Sequence, residues 1–199
     1  LDQIDFTSND YLGLAHANIL AQLIQQKFED MRPALNGATG SRLLSGNAAY
    51  TEYVEKKLAE IFKGESALLF NSGYAANLAV LSALPQRGDT ILYDELAHAC
   101  MKDGARLSLA NRFSFRHNDL NDLENKLRKA TGNIFIAVES IYSMDGDHSP
   151  LRELVTLANR FHAAVIIDEA HSTGVYGDLG SGWSFYTDVH EQLPVRIYT

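Results

Sequence analysis

The sequence has very little cysteine, no cluster of basic residues and no long apolar run. One cysteine among 199 residues, Cys100, excludes an internal disulfide, and so few cysteines are typical of a reducing compartment, which predicts a cytoplasmic protein. The net charge is −8. Because nucleic-acid binding needs clustered Lys and Arg, no nucleic-acid partner is expected. No apolar run approaches the roughly 20 residues that cross a bilayer, so no membrane partner is expected either.

Motifs of several enzyme classes are missing as well. Residues 168–171 read DEAH, as in helicases, but a helicase also needs a phosphate loop that ends in Gly-Lys, and the chain has no Gly-Lys pair. The G-x-S-x-G elbow of Ser-His-Asp hydrolases and the G-x-G-x-x-G loop of dinucleotide-binding enzymes are absent. There is no H-E-x-x-H and no pair of cysteines, so the sequence predicts no metal site.

From residue 67 onward, short apolar runs alternate with helical patterns. We predict strands at 67–70, 90–93, 112–115, 134–138, 163–167 and 195–198, and helices at 75–84, 98–109, 120–130 and 151–161. Continuous apolar strands that alternate with helices indicate a parallel sheet covered on both faces, so the predicted fold class is α/β. The first 66 residues are predicted to form an N-terminal arm outside this alternation. It has two helical apolar stripes, at 19–28 and 53–61, and a small-residue loop at 36–42.

Polar and titratable residues gather where the predicted strands end. They occupy 71–74, 94–98, 139–143, 168–171 and position 199. Open α/β sheets bind ligands beyond the carboxyl ends of their strands. The sequence therefore predicts a ligand site at this edge of the sheet.

Some of these residues already suggest a chemistry. Ser72-Gly73-Tyr74 follows a strand and opens a helix, where free N–H groups can hold a phosphate; the alternative is that Ser72 only caps the helix. Asp168 ends a fully apolar strand, and a carboxylate there needs a partner such as a protonated ring nitrogen or an Arg. His98 alone is most simply a surface or capping residue, but His171 at a parallel strand end favours a functional role for both.

Six short segments, taken in order, form a pattern that covers the whole chain. They are SNDYLGL at 8–14, GSRLLSG at 40–46, FNSGYAAN at 70–77, HA at 98–99, SMDGD at 143–147 and DEAHSTG at 168–174. In order and spacing they resemble the α-oxoamine synthases, a family of pyridoxal-phosphate (PLP) enzymes. The resemblance implies an arm and a glycine-rich segment at 1–50. It also implies a three-layer PLP-dependent transferase-like large domain with a mostly parallel sheet at 51–199.

The resemblance also implies a reaction. These enzymes join an amino acid to an acyl-CoA, release CO2 and CoA, and place the cofactor at a homodimer interface. Segments 8–14, 72–77 and 144–151 are most similar to members that condense L-alanine with a pimeloyl thioester in biotin synthesis. Members that use glycine with acetyl-CoA or serine with palmitoyl-CoA are the alternatives, as is a relative that binds PLP or a phosphate without catalysis.

Roles for individual residues follow from the same resemblance. The implied catalytic residues are His98, which would stack on the PLP ring, Asp168, which would pair with the ring nitrogen, and His171, which would bind the phenolic oxygen. The other implied cofactor-binding residues are Ser72, Gly73 and Tyr74 at the phosphate, Glu139 and Ser143 near the ring, and Thr199. Asn9 would approach the substrate.

The chain departs from the family pattern at its last residues. In the family, a Thr-x-x-Lys segment follows a short strand, and its lysine binds PLP covalently. Residues 197–199 match the approach to this segment, and none of the seven lysines present takes the expected place. We therefore expect the chain to be an incomplete large domain without the C-terminal domain, and to be inactive by itself. Thr51 stands where many relatives have His, and no consequence is inferred.

Overall fold

The computed structural model describes residues 7–31 and 37–199, and it contains two compact units, Leu1–Leu69 and Phe70–Thr199. The predicted division between residues 50 and 51 concerns the complete enzyme and stays a prediction. Residue 36, the first of the predicted small-residue loop, lies outside the described residues. No helix in the described ranges is long and apolar enough to cross a membrane.

The first unit contains two helices. α1 spans Asn18–Asp30 and α2 spans Ala49–Ile61, which confirms the two predicted helical stripes. A short 3-10 turn at Leu14–His16 precedes α1. Arg42 donates two hydrogen bonds to the carboxylate of Glu55, at 2.5 and 2.9 Å, and this ion pair ties the loop before α2 to the helix itself.

The strand predicted at 67–70 is wrong. The backbone there is irregular, and Leu68, Leu69 and Phe70 are all exposed. The N–H of Leu69 donates to the carboxylate of Glu55 at 2.7 Å and not to a neighbouring strand. An apolar run becomes a strand only where another strand is available to pair with it, and no described strand lies alongside this run.

The second unit is built on a sheet of five parallel strands. They are β1 Thr90–Asp94, β2 Asn111–Phe115, β3 Ile134–Glu139, β4 Ala164–Asp168 and β5 Val195–Ile197, in the order β2-β1-β3-β4-β5. The five strands predicted after residue 90 are thus confirmed, each end within one residue. Because all strands run in the same direction, their carboxyl ends lie at one edge of the sheet.

Helices cover both faces of this sheet. They are α3 Gly73–Ala83, α4 Ala99–Leu107, α5 Leu120–Leu127 and α6 Leu151–Arg160, close to the predicted ranges. Consecutive strand residues face opposite layers: Ile166 belongs to a buried cluster with Met101 of α4, and Ile167 to one with Leu154 of α6. Both faces of the inner strands are therefore buried, which explains why β1, β3 and β4 read as apolar runs and confirms the three-layer α/β fold. The edge strand β2 is exposed except at Phe115. A short helix, α7 Trp183–Tyr186, was not predicted.

Candidate active site

Two buried carboxylates lie side by side at the carboxyl edge of the sheet. Glu139 is the last residue of β3 and Asp168 the last of β4, and they are direct partners in the parallel register. Such partners point to the same face of a sheet, so the two acidic side chains are neighbours. Only 3% of Glu139 and 6% of Asp168 is exposed. Two carboxylates with so little access to water oppose each other's ionisation, and this favours a cationic ligand beside them.

Asp168 is held by groups from two parts of the chain. Asn77 of α3 donates its Nδ2–H to Oδ2 of Asp168 at 2.7 Å, and the N–H of Ala170 donates to Oδ1 at 2.9 Å. Burial raises the pKa of Asp168, and these two hydrogen bonds, with the charges of His171 and His98, offset that rise only in part. A further cation against Asp168 would therefore stabilise its carboxylate form.

Glu139 accepts backbone hydrogen bonds from two loops at the same edge. The N–H of His98 donates to its Oε1 at 2.6 Å, and the N–H of Ser143 also donates to its carboxylate. Burial and the charge of Asp168 nevertheless raise the pKa of Glu139 to about 7. The structure thus brings together Glu139, His98, Ser143 and Asp168, four residues that the sequence analysis selected from three different segments.

With no ligand bound, stability is expected to fall as pH rises from about 4.5 to about 7, because of Glu139. The raised pKa means that the folded state binds this proton more tightly than the unfolded state. The stabilisation is therefore fully present below 4.5 and is lost as pH rises through about 7. A shift of this size is equivalent to about 3 kcal/mol. Denaturant unfolding across this pH range measures the fall, and Glu139→Gln should remove it.

The matched control for this prediction is Glu191→Gln, since Glu191 is exposed and lies in the same unit. This variant should keep the pH dependence of the wild-type protein. If Glu139→Gln unfolds with the same pH dependence as Glu191→Gln, then Glu139 does not hold its proton near neutral pH.

Both candidate imidazoles stand near this carboxylate pair. His98 is the N-cap of α4, where its Nδ1 accepts a hydrogen bond from the N–H of Cys100 at 3.2 Å and lies 2.9 Å from the Sγ of Cys100. The residue is exposed. The charge of His171 lowers the pKa of Asp168, so His171 lies within electrostatic reach of that carboxylate. His98 therefore has the capping role that the sequence left open, which leaves its Nε2 edge and ring faces for a ligand.

The start of α3 contains the predicted phosphate-binding residues. Ser72 caps the helix, with its Oγ accepting from the N–H of Ala75 at 3.1 Å, while the hydroxyl of Tyr74 donates to Asp103 of α4 at 2.7 Å. Thr199 lies against the same turn, since a Cβ atom on Gly73 would come within 2.6 Å of its Oγ1. The first turn of a helix leaves backbone N–H groups without intrahelical partners, so Gly73 and Thr199 border a place suited to an anion.

Asn77 is a site residue that the sequence analysis missed. Its Nδ2 donates both to Asp168 and to the carbonyl oxygen of Gly73, the latter at 3.0 Å, so it connects the carboxylate pair with the start of α3. Its Oδ1 is buried and has no hydrogen-bond partner among the described residues. The available signal was a fully buried amide within an otherwise small and apolar helix, four positions after Gly73.

Two further predictions are left open by the structure. Asn9 lies in the first unit, where its exposed side chain accepts a hydrogen bond from the hydroxyl of Tyr11 at 3.4 Å. Its approach to a substrate stays a prediction. In the described ranges, no group of three or more His, Cys, Asp or Glu side chains is arranged to hold a metal ion, and the expected absence of a metal site also stays a prediction.

Comparison with known proteins identifies the family. The family described as aminotransferase class I and II matches residues 1–198. The chain belongs to this family. It is 48% identical to a putative 8-amino-7-oxononanoate synthase of Bacillus licheniformis, over 98% of the chain and 51% of that protein. The chain thus spans about half the length of the curated relatives it matches.

Two solved structures are also similar to this chain. The serine palmitoyltransferase from S. paucimobilis, solved with PLP and myriocin bound, matches with a TM-score of 0.85 and 31% identity, over 94% of this chain and 46% of that chain. The 8-amino-7-oxononanoate synthase from Francisella tularensis matches with a TM-score of 0.77 and 30% identity, over 94% and 51%. The resemblance to the α-oxoamine synthases is therefore confirmed.

Proposed function

We propose that this chain is part of a PLP-dependent α-oxoamine synthase, which condenses an amino acid with an acyl-CoA and releases CO2 and CoA. The buried carboxylates of Asp168 and Glu139 carry the proposal. They need a cation at the carboxyl edge of the sheet, and the protonated ring nitrogen of PLP is such a cation. L-Alanine and a pimeloyl thioester are the proposed substrates, because the relative at 48% identity is named 8-amino-7-oxononanoate synthase.

The residues at this edge fit PLP at both ends of the molecule. Asp168 has a raised pKa and offers a carboxylate to the ring nitrogen, and the buried Oδ1 of Asn77 beside it is without a partner among the described residues. At the other end, the start of α3 offers backbone N–H groups to the phosphate, with the hydroxyl of Thr199 next to Gly73. Asn77 donates hydrogen bonds to Asp168 and to the carbonyl oxygen of Gly73, and so fixes the distance between the two parts of the site.

Roles for the remaining residues are proposed from the resemblance to the α-oxoamine synthases. Bound PLP supplies an electron sink for the carbanion that forms at the substrate α-carbon. Asp168 holds the proton on the ring nitrogen, and His171 donates a hydrogen bond to the phenolic oxygen. His98 stacks on the ring, while Glu139 and Ser143 border it. Ser72, Gly73, Tyr74 and Thr199 hold the phosphate, and Asn9 contacts the substrate.

The complete protein is proposed to be a cytoplasmic homodimer. It is proposed to be about twice this length, because the chain spans 51% of the relative at 48% identity. The lysine that binds PLP covalently would then lie outside residues 1–199. In support of this, none of the seven lysines lies in the first five residues after a described strand. The isolated 199-residue chain is accordingly proposed to be inactive.

The test is a CoA-release assay on the complete protein with added PLP, together with mass spectrometry of the product. We expect faster release with L-alanine and pimeloyl-CoA than with glycine and acetyl-CoA or with serine and palmitoyl-CoA. A preference for serine and palmitoyl-CoA would favour the second candidate, a serine palmitoyltransferase-like enzyme, which the structural match at a TM-score of 0.85 supports. No release with any pair would reject a catalytic role.

A further inference from the structure

A second titratable cluster lies at the carboxyl edge of the same sheet. His117, in the loop after β2, stands between two carboxylates: its Nδ1 is 2.9 Å from Oδ1 of Asp94, and its Nε2 is 2.8 Å from Oδ2 of Asp147. Asp94 is the last residue of β1 and is fully buried, whereas Asp147 lies in the loop after β3. One imidazole ring therefore joins three separate segments of the chain.

The ring can bind both carboxylates only when it carries two protons. An imidazolium has two N–H donors, whereas a neutral imidazole has one and leaves its other nitrogen facing a carboxylate as an acceptor. The loss of one proton from His117 therefore turns one hydrogen bond into a repulsive contact. Asp147 would be the carboxylate that separates, because Asp94 is buried and also accepts hydrogen bonds from the N–H groups of Leu96 and Asn118, at 2.8 and 2.9 Å.

An amide, an acidic residue and an aromatic ring also lie around His117. The Nδ2 of Asn118 is 3.2 Å from Nε2 of His117 and donates to Oδ2 of Asp147 at 2.8 Å, so Asp147 keeps one donor when His117 loses its proton. The backbone N–H of His117 donates to the carboxylate of Glu95 at 3.0 Å, and the ring packs edge-on against the ring of Tyr142, with 4.5 Å between centroids. The charged neighbours in sequence, Arg116 and Asp119, are paired with each other at 2.7 Å. The groups that act on the ring are thus mainly acidic.

Asp147 belongs to a tight turn that also carries Ser143. The N–H of Gly146 donates to the carbonyl of Tyr142 at 2.8 Å, and the N–H of Tyr142 donates to the carbonyl of Asp147 at 3.0 Å. On one side of this turn, the N–H of Ser143 binds Glu139 of the candidate active site. On the other side, the carboxylate of Asp147 binds His117. Whatever holds Asp147 therefore also sets the position of Ser143.

We propose that His117 is a positioning residue. As an imidazolium it holds the 142–147 turn, and with it Ser143, against the carboxyl edge of the sheet. Loss of its proton loosens the turn and weakens PLP binding. The part that concerns PLP rests on the proposed function. The part that concerns the turn depends only on the contacts of His117, Asn118 and Asp94 with one another and with Asp147.

The surroundings of the His117 ring determine the pH range in which it loses its proton. Burial lowers the pKa of His117, but its hydrogen bonds to Asp94 and Asp147 and the charges of both outweigh burial, and the pKa is raised above 6.5. For a histidine whose pKa is raised on folding, the stabilisation is fully present below its ordinary pKa and is lost as pH rises through the folded value. The turn is therefore fully held below about 6.5 and is loosened as pH rises through the raised pKa of His117.

Two measurements on the complete protein test this proposal between about pH 6 and pH 9, the range around a histidine pKa. The first is hydrogen exchange of the segment 141–149, corrected for the intrinsic effect of pH on exchange. The second is the dissociation constant of PLP. We expect the wild-type protein to lose protection of the segment and affinity for PLP together, as His117 titrates. This joint loss is a step in both quantities as pH rises. In His117→Asn the step should be absent, with fast exchange and about tenfold weaker PLP binding at all pH values. A tenfold change corresponds to about 1.4 kcal/mol, close to the value of one hydrogen bond to a charged group.

A second variant keeps the test decisive if His117→Asn unfolds. Asp147→Asn retains a side-chain oxygen that can accept from the ring but removes one negative charge, so the step should move to lower pH by about one unit. The matched control is His162→Asn, because His162 is exposed and has a positive φ of 53°, which Asn adopts readily. This control should titrate as the wild-type protein does.

The outcomes separate the two proposals. A wild-type protein that binds PLP with no step, or a step that persists in His117→Asn or stays in place in Asp147→Asn, would overturn the role of His117. A wild-type protein that does not bind PLP would overturn the proposed function instead. The exchange data alone would then decide whether His117 holds the turn.

Discussion

Asp168→Asn in the complete protein is expected to lower kcat/KM for the condensation by about 10²–10³-fold and to weaken PLP binding. The substitution preserves the size of the side chain and an acceptor for the N–H of Ala170, but it removes the negative charge. Removal of one partner from a buried ion pair costs about 3–5 kcal/mol, and about 1.4 kcal/mol corresponds to a factor of ten. Steady-state kinetics and a PLP titration measure the two effects.

The control for this prediction is the same chemical change at an exposed aspartate. Asp188 is exposed and has a positive φ of 57°, a conformation that Asn adopts readily, so Asp188→Asn should leave both constants near wild type. If Asp168→Asn turns over at the wild-type rate, the ring nitrogen of PLP has no counter-charge at Asp168, and the assignment of the whole carboxyl edge is wrong.

Most of the second unit could be predicted because its inner strands β1, β3 and β4 are buried on both faces. Ile166 and Ile167 face opposite helical layers, so the run that contains them has no polar interruption, and Asp168 marks the point where the core ends. The run at 67–70 is equally apolar but exposed, and composition alone cannot distinguish these two environments. Pairing with another strand decides between them, and pairing depends on residues far away in the chain.

Part of the candidate site is predicted by the rule that open α/β sheets bind ligands beyond the carboxyl ends of their strands. That rule selected Glu139 and Asp168, which the structure places side by side. His117 lies two residues after the strand at 112–115, so the same rule also points to the cluster around His117, which is absent from the sequence-based site. Asn77 could not be found in this way, because it lies inside a helix and reaches the site only through the packing of α3 against the sheet.

Glu169 lies next to Asp168 in sequence but serves a different part of the structure. It is fully buried, and its carboxylate accepts hydrogen bonds from the hydroxyl of Ser172 and from the N–H groups of Trp183 and Ser184, both at 2.9 Å. It therefore caps α7 and fixes the loop between residues 172 and 184. Gly182 completes this arrangement, with a φ of +106° and no room for a Cβ atom, which would come within 2.9 Å of the Glu169 carboxylate.

Glu169→Ala is accordingly expected to lower the free energy of unfolding by about 3–5 kcal/mol, because it leaves several buried donors unsatisfied and opens a cavity. Denaturant unfolding measures the change, and hydrogen exchange should show the segment 172–184 loosening first. Glu169→Gln keeps the volume and one acceptor oxygen, so its cost should be smaller, about 1–3 kcal/mol. Glu191→Ala, at an exposed position, should stay within about 0.5 kcal/mol of wild type.

If Glu169→Ala were as stable as Glu191→Ala, the N–H groups of Trp183 and Ser184 would have found other acceptors. The loop beside Asp168 would then be held by its aromatic packing, in which Trp183 contacts Tyr176 and Tyr186, and not by this carboxylate.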